Sequence, residues 1–472
     1  MLSGIISLVV KNEWRRSMRD GRSRSLFLAV LLMLIFSVAL ALREYRQIEV
    51  QYVENVRQSR LNWESQTAKD PHDAAHDGTY VIKPPHPLSI IDRGLQQFSG
   101  QVIHLGAHER KQSTLNEAKD HAGMFRFGSM APNFVLLYVI PLLLIFLAHD
   151  SFTQERERQT LRLLFTQGVS AIQLTLGKWL ALFLQLMVLS LIFFLVVQVG
   201  FAIIDKSVGA LEWLTLVVTY VLYLTIFLNL GLLVSARLSN SGQALTVMLG
   251  IWILMTLIIP RLSTNLAAQQ HPFPTLQSFT DNINTDQANG LNGHNFWNEA
   301  AQDFQQQVLQ EYGVASIEDL PVAYDGLLLA EGEKYESEIY TKHFDLLRAQ
   351  YRKQRQVYRQ SGILSPFMPV RFISMALART DYGFQWHYED QAEKYRVALN
   401  TALNMNIAEQ SKGIEQYKAG PELWASIPSF EYEWQPADEV LSDHLPEVLI
   451  VSGWALLSFL IMLFFNQKLK VI

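Results

Sequence analysis

"WLALFLQLMVLSLIFFLVVQVGFAII", residues 179–204, runs for 26 positions without an Asp, Glu, Lys or Arg. A hydrocarbon core is crossed by about 20 such residues in a helix. Lipid supplies no hydrogen-bond partner, so the backbone must satisfy itself and the stretch reads as a transmembrane helix. Five further stretches read the same way: 25–42, 130–148, 211–236, 243–260 and 448–465, with Glu212 the one formal charge inside the set. A mean hydropathy of +0.10 beside 18% charged residues fits this division into apolar blocks and polar blocks. The first span is too long, and its basic leader too extended, for a cleavable signal peptide, so it is expected to remain as an anchor.

Orientation follows from the basic residues beside the spans. Lys11, Arg15, Arg16, Arg19, Arg22, Arg24, Arg156, Arg158, Arg162, Lys178, Arg237, Lys468 and Lys470 fall on one side, giving 13 basic residues against 5 acidic ones. The chain has 39 basic and 44 acidic residues, so the other side holds 26 against 39. The basic side is expected to be cytoplasmic. The fold class is then an α-helical integral membrane protein with six transmembrane helices, a large and mainly helical periplasmic domain, and both termini cytoplasmic. Residues 1–24 form a cytoplasmic interfacial amphipathic helix and 43–129 a first periplasmic region. Residues 149–178 are a cytoplasmic loop, 261–447 a second periplasmic domain and 466–472 a cytoplasmic tail. The chain has no cysteine, so the outer regions must be held by their own cores rather than by disulfides. A bacterial inner membrane facing a periplasm suits that composition, and a net charge of −5 gives no basis for nucleic-acid binding.

The loop "SFTQERERQTLRLLFTQGVSAIQLTLGKW", residues 151–179, is unusually charged for a link between two spans. Ser151 and Gln154 have capping-box spacing, Gly168 offers a stop, and Ser170 can cap the next helix. A helix of about four turns is expected across the membrane surface. Leu161, Leu164 and Phe165 share one face of it, and Glu155, Arg156, Glu157, Arg158 and Arg162 carry both signs of charge. A helix lying on lipid is usually basic on its polar face, so the mixture suits a protein partner.

Glu155-Arg156-Glu157, then Thr160-Leu161 and Leu163-Leu164, then Gly177-Lys178 entering an apolar helix, resemble the first intracellular loop of ABC-type exporter permeases of the type-2 class. "PLSIIDRGLQQFSG" at 87–100, "LSPFMPVRFISMALARTD" at 364–381 and "AEKYRVALNTALN" at 392–404 resemble a subfamily of these permeases with a large extracytoplasmic domain of unknown function. The resemblance implies a coupling helix that docks in a groove of a separate ABC ATPase, which binds ATP and Mg. Its contacts would be Glu155, Arg156, Glu157, Arg158, Thr160, Leu161, Leu164 and Phe165. It implies a second permease copy or a paralogous permease, with membrane lipid around both; the ectodomain is expected to pack over the outer mouth and either hand cargo to a periplasmic partner or close the exit. Gln159 stands where the family usually has glycine, which favours an unbroken helix there.

The sequence has no G-x-x-x-x-G-K-[ST], H-E-x-x-H or G-x-S-x-G motif, so no catalytic role and no cofactor of its own is expected. Two readings compete with export: transmission of ATP-driven motion to the ectodomain without cargo, and a ligand-sensing receptor, for which the short cytoplasmic segments offer no signalling domain. In the N-terminal segment, Ile5, Ile6, Val9 and Trp14 oppose Arg15, Arg16 and Arg19, an arrangement suited to an interfacial anchor. Gln185, Gln198 and Asn229 lie at membrane depth, where polar groups face protein or a water-filled path. Pro141 should kink its span. Aromatic stripes at Tyr340, Phe344, Leu347, Tyr351 and Tyr358, and at Tyr388, Ala392, Tyr395, Leu399 and Leu403, read as helix–helix core. His72 with His76, and His104 with His108, have i,i+4 spacing. His86 and His121 lie in the same region, and without thiolates all six read as solvated or structural, with no metal expected. Residues 66–87, polar and rich in proline, read as a loop.

Overall fold

The computed structural model describes residues 2–114, 131–288, 290–291, 294 and 298–469. The expectations placed on His121, Met130 and Lys470 lie outside them. Among the described residues, six helices are long and apolar enough to cross a membrane, and they stand on the six apolar stretches.

Helix α1 (Leu2–Arg19) ends at Asp20, whose carboxylate accepts the N–H groups of Arg22 and Ser23 and so caps α2 (Gly21–Glu64). The α2 helix continues for 44 residues, well past Leu42, where the sequence reading ended its span. Residues 43–64 contain no Gly or Pro to stop it, and Tyr45 and Trp63 stay buried along its inner side.

Residues 66–87 are not simply a loop. They hold α3 (Pro71–Asp77) and strand β1 (Thr79–Ile82), which pairs antiparallel with β2 (Val102–Leu105), Thr79 opposite Leu105. Asp70 accepts the His72 N–H at 2.7 Å and Pro71 opens the helix, a cap-and-proline start that the polar composition obscured.

The bundle continues with α4 (Ile140–Ala148), then two short loop helices, α5 (Thr153–Glu157) and α6 (Thr160–Thr166). Three long helices follow: α7 (Ala171–Ile203), α8 (Ala210–Arg237) and α9 (Ser241–Ile253), the last running on into α10 (Ile259–Gln270). Pro141 and Pro260 each follow a π turn, Val135–Val139 and Leu254–Ile258. Proline withdraws a backbone donor, and side chains supply replacements. The Tyr223 hydroxyl donates to the Leu137 carbonyl at 2.9 Å and Ser365 Oγ to the Met255 carbonyl at 2.6 Å.

Beyond the bundle lie α11 (Leu276–Ala288), α12 (Glu299–Tyr312), α13 (Tyr324–Ser361), α14 (Phe367–Leu377), α15 (Tyr382–Gln410), α16 (Pro421–Ser426) and α17 (Ala437–Asp443). The last bundle helix is α18 (Leu445–Asn466). α13 and α15 pack side by side; Phe344, Tyr388, Ala392, Leu399 and Leu403 are buried, and Tyr340, Leu347, Tyr351, Tyr358 and Tyr395 half-buried, as core stripes require. Phe367, Val370, Ile373 and Leu377 of α14 join the same apolar cluster as Leu34, Val135, Leu189 and Tyr223, so this helix and the bundle share one core.

Acidic residues near the ends of the spans are neutralised by basic ones. Arg379 meets Glu212 at 2.8 Å with both buried, Arg359 meets Glu447 at 3.1 Å, and Arg93 meets Glu44 at 2.9 Å. Asp92 of the 87–100 phrase accepts Asn133 Nδ2 at 2.7 Å and Ser374 Oγ at 2.6 Å, and Ser374 Oγ lies 2.7 Å from the Tyr220 hydroxyl. The phrases at 87–100 and 364–381 therefore meet around one buried carboxylate.

Candidate functional site

The charged loop folds differently from a single rod. Gln159 adopts φ 59°, ψ 12°, a left-handed conformation that splits the expected helix into α5 and α6. The position where the resembled family has glycine thus keeps the backbone glycine favours, at a cost for a residue with a Cβ. Ser151 does not cap α5 either. The Phe152 and Thr153 N–H groups donate to Ser235 Oγ of α8 at 2.9 and 3.4 Å, so the cap comes from another helix. The remaining signals act as read: Gly168 turns the chain at φ 85°, and Ser170 and Gln173 form a capping box at the start of α7.

Each charged residue of α5 is tied to a different part of the bundle. Glu155 accepts from Lys178 Nζ at 2.7 Å. Arg156 donates to the Ala236 carbonyl at 3.0 Å and to the Leu238 carbonyl, closing the end of α8. Glu157 accepts the Ser241 N–H at 2.7 Å at the start of α9, where a carboxylate is favoured by the helix dipole. In α6, Leu161 is 1% exposed and sits with Phe152, Leu174, Leu232 and Met462, while Leu164 and Phe165 pack partly on the same cluster. The outward face is Arg158, Gln159, Thr160, Arg162, Leu163 and Thr166, all exposed.

Beneath the loop lies Lys178, 1% exposed, its ammonium shared by Glu13 of α1 and Glu155 of α5. In the sequence it counts only as one of the basic residues flanking the spans. It is instead a buried junction of three elements, and burial of that ion is tolerable only because two carboxylates surround it. The signal that could have found it is Gly177: a Cβ there would stand 2.5 Å from Val9 Cγ1, so the glycine admits α1 against α7 and seals Lys178 inside.

Arg15 and Arg19 are exposed and free to meet headgroups, whereas Arg16 is half-buried and reaches Asp150 Oδ2 at 3.4 Å and Gln154. Arg16 therefore binds α1 to the loop rather than to lipid. It also lines an open cavity of about 980 Å³ with Arg19, Arg22, His149, Arg158 and Gln185. Of the intramembrane polar groups, Gln185 borders this cavity and accepts from Ser17 Oγ at 3.1 Å. Gln198 is exposed on α7. Asn229 is buried; it accepts Trp179 Nε1 at 2.8 Å and donates to Ser458 Oγ at 2.9 Å, so it ties three helices together.

Residues 106–261, which contain the loop and four of the apolar helices, match the ABC-2 family transporter protein family. The chain carries an ABC-2 transporter membrane domain. Residues 276–433, from α11 into the segment after α16, match DUF3526, a domain of unknown function. No curated protein matches the chain. ABC-2 permeases are typically non-catalytic and generally pair with ATPase subunits. In this ABC-2 domain, the inner side of the loop is consumed by its own bundle and the outer side of α6 is free.

Proposed function

We propose that this chain is the permease subunit of an ATP-driven exporter in a bacterial inner membrane, with the α5–α6 loop in the cytoplasm and the DUF3526 domain in the periplasm. Two permeases, identical or paralogous, enclose the path, and ATPase subunits carrying ATP and Mg bind below. The observation that carries this reading is the division of the loop. Its inward residues clamp the ends of α7, α8 and α9, while Arg158 at the α5–α6 turn and Arg162 and Leu163 on α6 stand exposed. A partner that displaces α6 then moves three helix ends at once. The docking set accordingly keeps Arg158, loses Leu161 and Leu164 and gains Arg162 and Leu163, with Glu155, Arg156 and Glu157 passing the motion inward.

The core shared by α14 and the bundle supports a second reading, in which the same stroke is delivered to the periplasmic domain without cargo. Both readings require the same docking face. A photo-crosslinking residue at position 163, irradiated in native membranes, is expected to capture a nucleotide-binding subunit. Adducts with lipid alone would overturn the docking assignment.

A further inference from the structure

His72 and His76 on α3, His108 after β2, and His294 between α11 and α12 come from three separate chain segments. Their candidate ligand nitrogens all lie within 4.8 Å of one another. Three of the Nε2 atoms form a tight triangle: His72 to His108 3.4 Å, His72 to His294 3.4 Å, and His108 to His294 2.9 Å. Nitrogens bound to a tetrahedral zinc stand about 3.3–3.4 Å apart, given Zn–N bonds of about 2.0–2.1 Å.

The far side of each inner ring is already fixed. Glu336 Oε2 lies 2.9 Å from His108 Nδ1, and a carboxylate can only accept, so Nδ1 carries a proton and Nε2 is the nitrogen that the neutral ring offers to a metal. Asn404 Oδ1 lies 3.1 Å from His72 Nδ1 and sets the same tautomer there. With both rings neutral, the His72 and His108 lone pairs face each other at 3.4 Å, and a hydrogen from His294 can serve only one of them. A cation at the centre of the triangle answers both. The carboxylate-to-histidine contact is also the second-shell arrangement that orients metal-binding imidazoles.

Behind the cluster the support is rigid. Glu333, fully buried, accepts the His108 N–H at 3.0 Å and pairs with Arg396, which in turn donates to Glu393 at 2.8 Å.

We propose that His72, His108 and His294, with His76 as the fourth donor, bind a divalent ion of the zinc type and thereby staple the 43–129 region to the DUF3526 domain. Imidazole donors without thiolates suit such borderline metals. The site stands on this donor set alone and does not depend on the exporter reading.

The test uses the full chain purified in detergent, stripped with EDTA and titrated with zinc sulfate by calorimetry. Metal content is read after gel filtration and the thermal midpoint is followed. Wild-type protein and His271→Asn, a change outside the cluster, are expected to retain one zinc per chain and to gain a higher midpoint. His72→Ala/His108→Ala should retain none, and Glu336→Gln should bind about 10–100-fold more weakly. His294→Asn alters an exposed turn, and weaker zinc binding at a metal-free midpoint equal to that of the stripped wild type separates lost ligation from lost structure. Equal zinc retention by the wild type and the double variant, or none by the wild type, would overturn the proposal.

Discussion

Leu161 and Leu163 are two residues apart on α6 and should respond to substitution in opposite ways. Leu161 is enclosed by Phe152, Leu174, Leu232 and Met462, so Leu161→Ala leaves a cavity in a packed core and should cost about 2–5 kcal/mol. Leu163 is 60% exposed, and surface changes of this kind usually stay within about 0.5 kcal/mol. Seated in a partner groove, a leucine side chain contributes about 1.5–3 kcal/mol. At about 1.4 kcal/mol per decade of affinity, losing it predicts an ATPase association roughly 10–100-fold weaker for Leu163→Asp. Thermal unfolding in detergent and co-purification of the nucleotide-binding subunit read the two effects separately. Leu161→Ala should lower the midpoint, while Leu163→Asp should keep the midpoint and lose the subunit. Full retention of the subunit and of transport by Leu163→Asp would refute the claim that this face docks.

Glu155→Gln removes one of two carboxylates from a buried ammonium that Glu13 still pairs, so it should cost less than the about 3–5 kcal/mol of leaving a buried charge unpaired, and Lys178→Met and Lys178→Met/Glu155→Gln complete a cycle that isolates the Lys178–Glu155 coupling. Chemical unfolding of the four corners of that cycle measures it. Gly177→Val places carbon atoms where Val9 already stands and should detach α1 from α7, exposing residues 2–19 to protease while the remaining bundle stays intact. Burial alone would raise the Asp390 carboxyl, but hydrogen bonds from Arg348 at 2.6 Å and Arg110 at 2.7 Å hold it below its ordinary value. A depressed folded-state value means that this stabilisation is complete above the unfolded carboxylate's ~3.9 and fades as pH falls through the folded one. Asp390→Asn should therefore melt below the wild type at pH 7, and the gap between the two midpoints should narrow as pH falls below the unfolded carboxylate's ~3.9.

The six apolar stretches were legible because lipid allows so few ways to satisfy a backbone; a helix stands on each of them, though α2 runs on to Glu64 and the fifth helix to Gln270, where polar sequence gave no apolar signal. Gly168 and Ser170 were legible because turn and cap chemistry is local. Ser151 was misread because its place was taken by Ser235, 84 positions away, and Gln159 because a side chain alone does not reveal that packing forces φ positive. The histidine cluster was hidden for a related reason. His72 and His76 are neighbours on α3, but His108 and His294 reach them only through the packing of α3 against α15 and the buried Glu333–Arg396 pair. Arg16 and Lys178 were read by their charge, although what distinguishes them is the carboxylates brought beside them by α1 and the loop.

The α8 helix connects the two ends of the chain's chemistry. Its 28 residues span about 42 Å at 1.5 Å per residue. At its C-terminal end, Ser235 caps α5, and the Ala236 and Leu238 carbonyls hold Arg156, so the loop cannot tilt without pulling on it. Toward its N-terminal end, Glu212 holds Arg379, and Tyr220 meets Ser374, which donates to Asp92. A rod bonded at both ends moves as one body when either end is pulled. The interior between is closely packed, with Tyr223 and Phe227 of α8 fully buried, and close-packed interiors transmit strain rather than absorb it. The exposed face of α6 and the buried Asp92 network are thus joined by a continuous series of hydrogen bonds and helix, with no flexible segment between Glu212 and Ser235 to interrupt it.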